Sequence, residues 1–172
     1  MHAFTVGHGT RPLPELVATL SEANVETLVD VRRFPGSRRN PQFNQAPLGE
    51  ALDEAGIAYR HALALGGRRT GEPGEDEFAC IRTPAFRSYA ARMRSTEWQD
   101  ALAVELAQPT PCFMCAETPW WKCHRRLIAE LLTARGHVVV HLLGPGRSQP
   151  HALYDQSEIQ DGKLFLCGAF VA

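Results

Sequence analysis

Lysine and long apolar runs are what this sequence has least of. Of its 18 basic residues only two, Lys122 and Lys163, are lysines, and the other 16 are arginines. No apolar stretch approaches the roughly 20 residues that cross a bilayer, which excludes a membrane-spanning helix. The opening residues, MHAFTVGHGTR, lack a basic segment followed by an apolar core, so we expect no secretory signal and no membrane partner.

Net charge is also small. A formal net charge of -1 excludes a protein that binds polyanions through its overall charge. Hydrophobic residues make up 44% and charged residues 22%, which is ordinary globular usage and excludes disordered and fibrous classes. The length of 172 residues predicts a single domain over residues 1–172, with a turn-rich C-terminal extension over 144–172. The oligomeric state has no signature here.

Paired cysteines are lacking as well. The five cysteines are an odd number, and Cys112, Cys115 and Cys123 lie within one short stretch. A secreted disulfide scaffold has its cysteines spread in pairs through a shorter chain. We therefore expect a reducing cytoplasmic location, with the thiols free or bound to metal.

Short apolar runs alternate with longer amphipathic segments, whose apolar residues recur every three or four positions. This alternation predicts an α/β fold with three α/β/α layers and a mostly parallel, doubly wound (Rossmann-like) sheet of about five strands. The predicted strands are 3–8, 26–32, 58–63, 111–117 and 137–143. The helical patterns lie near 13–23, 47–56, 86–95, 97–107 and 123–136.

Four arginine doublets follow the predicted strands: Arg32-Arg33, Arg38-Arg39, Arg68-Arg69 and Arg125-Arg126. Ligands of such folds bind beyond the carboxyl ends of the strands, so we expect an anionic small molecule or a nucleic acid at this edge. Alternatively, these arginines only pair with nearby surface carboxylates. The candidate ligand-binding residues are Arg11, Asp30, Arg32, Arg38, Arg39, Asn40, Gly66, Arg68 and Arg125. Asp30 has an alternative role as the partner of Arg32.

The stretch MCAETPWWKCHRR carries the sharper chemical signal. Cys115 and Glu117 lie two apart at a strand end and share a direction, whereas Cys112 faces the opposite side. Cys123 precedes a helix beside His124 and an arginine, which favours a thiolate. The catalytic candidates are Cys115, Glu117, Cys123, His124 and His8.

Two alternatives compete with a reactive thiol. Cys115, Cys123 and His124 are ligand types suited to zinc or iron, although their spacing matches no common structural zinc pattern. In the second alternative, Cys115 and Cys123 have no chemical role and are small buried hydrophobic residues beneath a loop. The sequence leaves the cofactor unknown. A nucleotide- or nucleic-acid-binding module without chemistry also stays open.

Four ordered segments, TVGHGT, VDVRRFPGSRRNPQFN, YRHALALGGRR and MCAETPWWKCHR, strongly resemble the domain-of-unknown-function 488 family. The resemblance runs from about residue 4 to residue 143 and implies a three-layer α/β domain. The name of the family assigns no reaction. Gly9 stands where that family commonly has Ser, and Pro-Trp-Trp-Lys precedes Cys123 where it usually has charged or polar residues. The implied site positions are His8, Asp30, Arg32, Pro35, Ser37, Arg38, Leu65, Gly66, Cys115, Glu117, Cys123, His124 and Arg125.

Overall fold

The central sheet contains six strands, in the order β3-β2-β4-β1-β5-β6. A computed structural model describes all residues 1–172. Five strands are parallel and β6 pairs antiparallel to β5. The predicted α/β class is confirmed, and the antiparallel edge strand adds one to the expected five. The strands are β1 His2–Gly7, β2 Thr27–Asp30, β3 Ala58–His61, β4 Pro111–Cys115, β5 Val138–Gly144 and β6 Arg147–Pro150.

Helices cover both faces of this sheet, as the alternation predicted. Leu16 and Leu48, from the first two helices, lie in a buried cluster on one face. Tyr89, Trp98 and Leu127, from the last three, lie in a larger cluster on the other. Each helix buries the apolar residues that recur at helical spacing. The helices are α1 Leu13–Glu22, α2 Gln45–Glu54, α3 Pro84–Arg92, α4 Thr96–Leu106 and α5 Arg125–Ala134.

β4 lies at the centre of the sheet and is buried along its whole length. Its side chains alternate between the two clusters because successive residues of a strand point to opposite faces. Cys112 and Met114 face the α1–α2 side, whereas Phe113 and Cys115 face the α3–α5 side. The predicted separation of Cys112 from Cys115 is confirmed.

The C-terminal segment forms a second, three-stranded antiparallel sheet made of β7 Ser157–Gln160, β8 Lys163–Leu166 and β9 Ala169–Phe170. A fully buried carboxylate of α5, Glu130, anchors it. Glu130 accepts hydrogen bonds from the main-chain N–H of Tyr154 at 3.0 Å and from the Ser157 hydroxyl at 2.8 Å. Leu164 and Leu166 complete the attachment by joining the larger core cluster.

A disulfide links Cys80 to Cys167, whose Cα atoms are 5.7 Å apart. The expectation that every thiol is free or metal-bound is therefore wrong for this pair. The two residues are 87 positions apart, and only the folding of the C-terminal segment onto the α3 side brings them together. Cys112, Cys115 and Cys123 are free and buried. No helix of the protein has both the length and the apolar character needed to cross a membrane.

Candidate functional site

A cavity of about 470 Å³ lies at the carboxyl ends of the parallel strands. Its walls come from the segments after β1, β2, β3 and β4 and from the start of α3. This is the edge where α/β folds bind their ligands. Of the residues predicted from sequence, those lining the cavity are His8, Arg32, Arg38, Asn40, Arg68, Cys115, Glu117, Cys123 and His124.

Two thiols and an imidazole converge on the cavity floor. Nδ1 of His124 lies 3.9 Å from Sγ of Cys115 and 3.7 Å from Sγ of Cys123. All three atoms lie within 4.8 Å of one another. Nε2 of His124 is 3.0 Å from the main-chain oxygen of Val31, which can only accept, so Nε2 carries the proton. In the neutral ring, Nδ1 therefore presents its lone pair to both sulfurs.

The two thiols differ strongly in acidity. Burial raises the pKa of Cys123, but the hydrogen bond from Cys115 and the positive charge of Arg125 outweigh it and lower that pKa to about 7, from an ordinary 9.0. The main-chain N–H at the start of α5 acts in the same direction. The hydrogen bond to Cys123, together with burial, raises the pKa of Cys115 to about 12. Cys123 is therefore the thiolate of the pair near neutral pH.

Gly67 allows the main chain to pass directly over the imidazole of His124. A Cβ atom at position 67 would lie 2.5 Å from Nδ1 of His124. Tyr89 packs against the same ring, with ring centroids 4.9 Å apart. The ring is thus held between a bare stretch of backbone and an aromatic side chain, which fixes Nδ1 toward the thiols.

Arg125, one of the predicted ligand-binding residues, lies beneath the loop after β4 and does not line the cavity. Its side chain is almost completely buried. It donates hydrogen bonds to the main-chain oxygens of Glu117 and Thr118, which holds the loop in place. Gly7 lets that loop cross the end of β1, because a Cβ there would lie 2.0 Å from the oxygen of Glu117.

Asp30 and Arg32 form a buried ion pair at the end of β2. The guanidinium donates to both carboxylate oxygens, at 2.8 and 2.6 Å, and to the main-chain oxygen of Phe43. Tyr59 donates its hydroxyl to the same carboxylate at 2.7 Å. Asp30 is fully buried and has no access to the cavity, so it is not placed to bind a ligand. Its alternative role, as the partner of Arg32, is confirmed.

His8 is fixed by the same network. Its Nδ1 faces the main-chain oxygen of Gly9 at 2.8 Å and therefore carries the proton, while its Nε2 faces a guanidinium nitrogen of Arg32 at 3.2 Å. Phe43 stacks on the ring with centroids 4.3 Å apart. Burial, reinforced by the charge of Arg32, lowers the pKa of His8 to about 4 although the hydrogen bond to Gly9 opposes it. His8 is a neutral imidazole at physiological pH.

Three cations on the cavity wall make neither an ion pair nor a side-chain hydrogen bond: Arg38, Arg68 and Lys122. The acidic stretch after Arg69 leaves Arg68 free, because Glu72 lies 3.9 Å from Arg69 instead. Glu117 is the one carboxylate on the wall. The cavity therefore presents a surplus of unpaired positive charge.

Three further predicted residues lie away from the cavity. Arg11 donates to the main-chain oxygen of Leu143 at 3.2 Å and lies 3.7 Å from Glu15. Arg39 points into solvent beside its cavity-lining neighbour. Gly66 packs on Arg33, where a Cβ would meet the Cα at 3.1 Å, and its neighbour Gly67 lines the cavity instead.

The structure adds wall residues that sequence reasoning did not select. Lys122 lay in the quoted motif, where its place two residues before His124 was an available signal. Ser37, by contrast, lines the cavity and is one of the site positions that the family resemblance implied. Ala85 and Phe86 carried no signal, because they belong to the start of α3 and reach the cavity only through tertiary packing.

The segment that contains almost all of this site also decides the family. A family model described as "Domain of unknown function DUF488" matches residues 12–132 of the 172-residue chain. The chain belongs to the DUF488 family. Every cavity-lining residue except His8 falls inside the DUF488 match, which is narrower than the expected 4–143. No curated protein and no solved structure matches the chain.

Proposed function

We propose that this protein is an enzyme that binds an anionic small molecule, phosphorylated or nucleotide-like, in the cavity and acts on it through the thiolate of Cys123. The observation that carries the proposal is the placement of Cys123. It opens on the cavity floor, directly before α5, with Nδ1 of His124 at 3.7 Å. A nucleophile within reach of an oriented base is the usual arrangement of thiol catalysis.

The charge of the cavity wall supports an anionic ligand. Arg38 and Arg68 each present an unpaired planar fork of donors, and Lys122 adds a point charge. Phe34, which is 64% exposed, offers an aromatic face at the same rim. Arginine together with an aromatic surface suits a phosphate that carries a base.

The chemistry needs few groups. The proton of Cys123 passes to Nδ1 of His124, and the thiolate attacks an electrophilic atom of the ligand. The imidazolium of His124 then returns the proton to the departing group. Val31 keeps this ring oriented throughout through the hydrogen bond at Nε2.

Anion binding is tested by calorimetric titration with pyrophosphate. Arg38→Gln and Arg68→Gln should each weaken binding about 10- to 100-fold, since each removes hydrogen bonds to a charged group worth roughly 1.5–3 kcal/mol. Arg39→Gln, the same charge change one residue from the wall, should stay within about twofold of the parent. Equal losses in all three variants, or no binding by the parent, would refute an anion site at this wall.

Thiol chemistry is tested by alkylation with iodoacetamide, read by mass spectrometry. Cys123 should be modified first, and bound pyrophosphate should protect it because both occupy the same cavity. An anion-binding protein whose Cys123 resists alkylation would instead be a binding module without chemistry.

A metal centre is the second candidate, favoured by the mutual approach of three donors within 4.8 Å. The N–H at Nε2 of His124 donates a hydrogen bond to the main-chain oxygen of Val31, as the second ring N–H of a metal-bound histidine does. Two sulfurs and one nitrogen would leave a fourth position of a zinc ion toward the cavity. Elemental analysis of protein purified without chelator or nickel resin decides: about one zinc or iron per chain supports the metal centre, and a metal-free result leaves the thiol enzyme.

A further inference from the structure

We propose that Cys115 is the resolving thiol of Cys123, so that the site carries out thiol–disulfide exchange on a small anionic disulfide and passes through a Cys115–Cys123 disulfide. This inference rests on the proposed function, since it takes Cys123 as the attacking group. It adds the class of substrate and a role for the second thiol.

The approach of the two sulfurs carries the inference. They lie within 4.8 Å of each other and open on the same cavity. Because a disulfide has an S–S length of about 2.05 Å, the sulfurs need to close by less than about 3 Å. Cys115 ends β4 and Cys123 lies in the loop before α5, so side-chain rotation and a small loop shift supply this movement.

No other thiol of the protein is placed to act as the resolving thiol. Cys112 faces the opposite side of the sheet, and Cys80 and Cys167 are already joined. A second thiol beside the nucleophile is not needed for phosphoryl or acyl transfer, which a single thiolate performs. It is needed where the adduct is a mixed disulfide that a neighbouring thiol must release.

The exchange balances in two steps. The Cys123 thiolate attacks one sulfur of the substrate disulfide, forms a mixed disulfide and expels the first substrate thiolate, which takes up the proton that Cys123 had passed to Nδ1 of His124. The Cys115 thiol then passes its proton to Nδ1 of His124, 3.9 Å away, and attacks Sγ of Cys123. The second substrate thiolate leaves and takes up that proton. The substrate disulfide is reduced by two electrons, the protein dithiol is oxidised, and an external dithiol restores it.

The cavity wall selects the substrate by charge. Arg38, Arg68 and Lys122 surround the entrance to the two sulfurs without partners of their own. Carboxylate or phosphate groups on a small disulfide would pair with them, because Arg donates two parallel hydrogen bonds to either anion. A neutral disulfide of similar size gains none of these contacts.

The test uses 5,5′-dithiobis(2-nitrobenzoic acid), a disulfide with two carboxylates whose thiol product is coloured. The metal-free parent protein should release two equivalents of product from one equivalent of reagent and retain none. Cys115→Ser should release one equivalent and retain the other as a stable adduct on Cys123. Cys112→Ser is the matched control and should behave as the parent, because that thiol lies on the other face of the sheet.

Two further measurements separate the possible failures. The dicarboxylate 3,3′-dithiodipropionic acid should react at least tenfold faster than the uncharged 2-hydroxyethyl disulfide, and the difference should shrink in high salt. Both reagents expel alkyl thiolates, so their leaving groups are matched and their charges are not. Trypsin cuts after Lys122 and so parts Cys115 from Cys123, which leaves the two peptides joined only if the disulfide has formed. That mapping is done on the parent and needs no variant to fold.

The outcomes are distinct. If Cys123→Ser keeps the fast reaction, Cys123 is not the nucleophile and the proposed function fails with the inference. If the parent keeps a stable adduct on Cys123 and no joined peptides appear, the resolving role is refuted while the nucleophile stands. If 3,3′-dithiodipropionic acid and 2-hydroxyethyl disulfide react equally fast, the assignment of an anionic disulfide is overturned.

Discussion

Replacing Asp30 by Asn should strongly destabilise this protein while barely changing its shape. Asp30 is fully buried and Arg32 is 5% exposed, so their charges are compensated by each other and not by water. The carboxylate accepts two hydrogen bonds from the guanidinium, one from the main-chain N–H of Arg32 and one from Tyr59. An amide at this position keeps one acceptor oxygen and turns an NH₂ group toward donors.

The expected cost is about 3–5 kcal/mol, the usual penalty for leaving one member of a buried ion pair without its partner. That is a large part of the roughly 5–15 kcal/mol by which native domains are stable. For a chain of this size it corresponds to a fall in Tm of about 10 °C. The loss should also release His8, whose Nε2 faces the guanidinium of Arg32.

Urea unfolding followed by circular dichroism measures the loss of unfolding free energy. It is calculated from the shift of the urea midpoint, with the slope of free energy against urea concentration unchanged. Glu15→Gln is the matched control, because Glu15 is 43% exposed and lies 3.7 Å from Arg11. Arg11 is 8% exposed, but the carboxylate opposite it is solvated, so we expect this pair to contribute only about 1 kcal/mol. If Asp30→Asn costs no more than Glu15→Gln, the buried pair does not anchor the end of β2 and the reasoning is refuted.

Three further predictions follow from the site. The rate of alkylation of Cys123 should be half-maximal near pH 7, since its pKa is lowered to about 7, and a midpoint near 9 would contradict this. Gly67→Ala should cut that rate at least tenfold by displacing His124. Gly49→Ala should leave it unchanged, because Gly49 lies in α2 away from the cavity and its added Cβ would have no atom within 4 Å. Because the pKa of His8 falls from 6.5 to about 4 on folding, the unfolded chain binds more protons below pH 6.5. The urea midpoint should therefore drop between pH 6.5 and 4, and His8→Gln should flatten the drop.

The order of strands and helices is predictable from this sequence because each element buries an apolar face at its own period. The carboxyl-end location of the site follows from that order, since parallel strands end at one edge. The opposite facing of Cys112 and Cys115 follows from the twofold alternation along β4. These inferences depend only on local geometry, which the sequence encodes residue by residue.

The convergence of Cys115 with Cys123 is not predictable in this way. Eight positions separate them, and the path of the loop between them depends on tertiary contacts. Arg125 holds the loop by two main-chain oxygens, and Gly7 gives it room across the end of β1. The Cys80–Cys167 disulfide escapes prediction for the same reason, because it depends on where the C-terminal segment docks.

The arginines of this site divide into structural residues and candidate ligand-binding residues. Their positions in the sequence do not distinguish the two groups. Arg32 and Arg125 are buried, and carboxylate or main-chain oxygens occupy their donors. A buried guanidinium is shielded from water, so its charge is stabilised only by its protein partners. Removing a partner therefore lowers the free energy of unfolding without removing a contact to a ligand. Arg38 and Arg68 are exposed to solvent and unpaired. Replacing either one should therefore change the free energy of unfolding little and should lower only the affinity for a ligand. If Arg38→Gln lowered both the free energy of unfolding and the affinity for the anion, Arg38 would have a structural role. Its unpaired charge would then no longer support a ligand site.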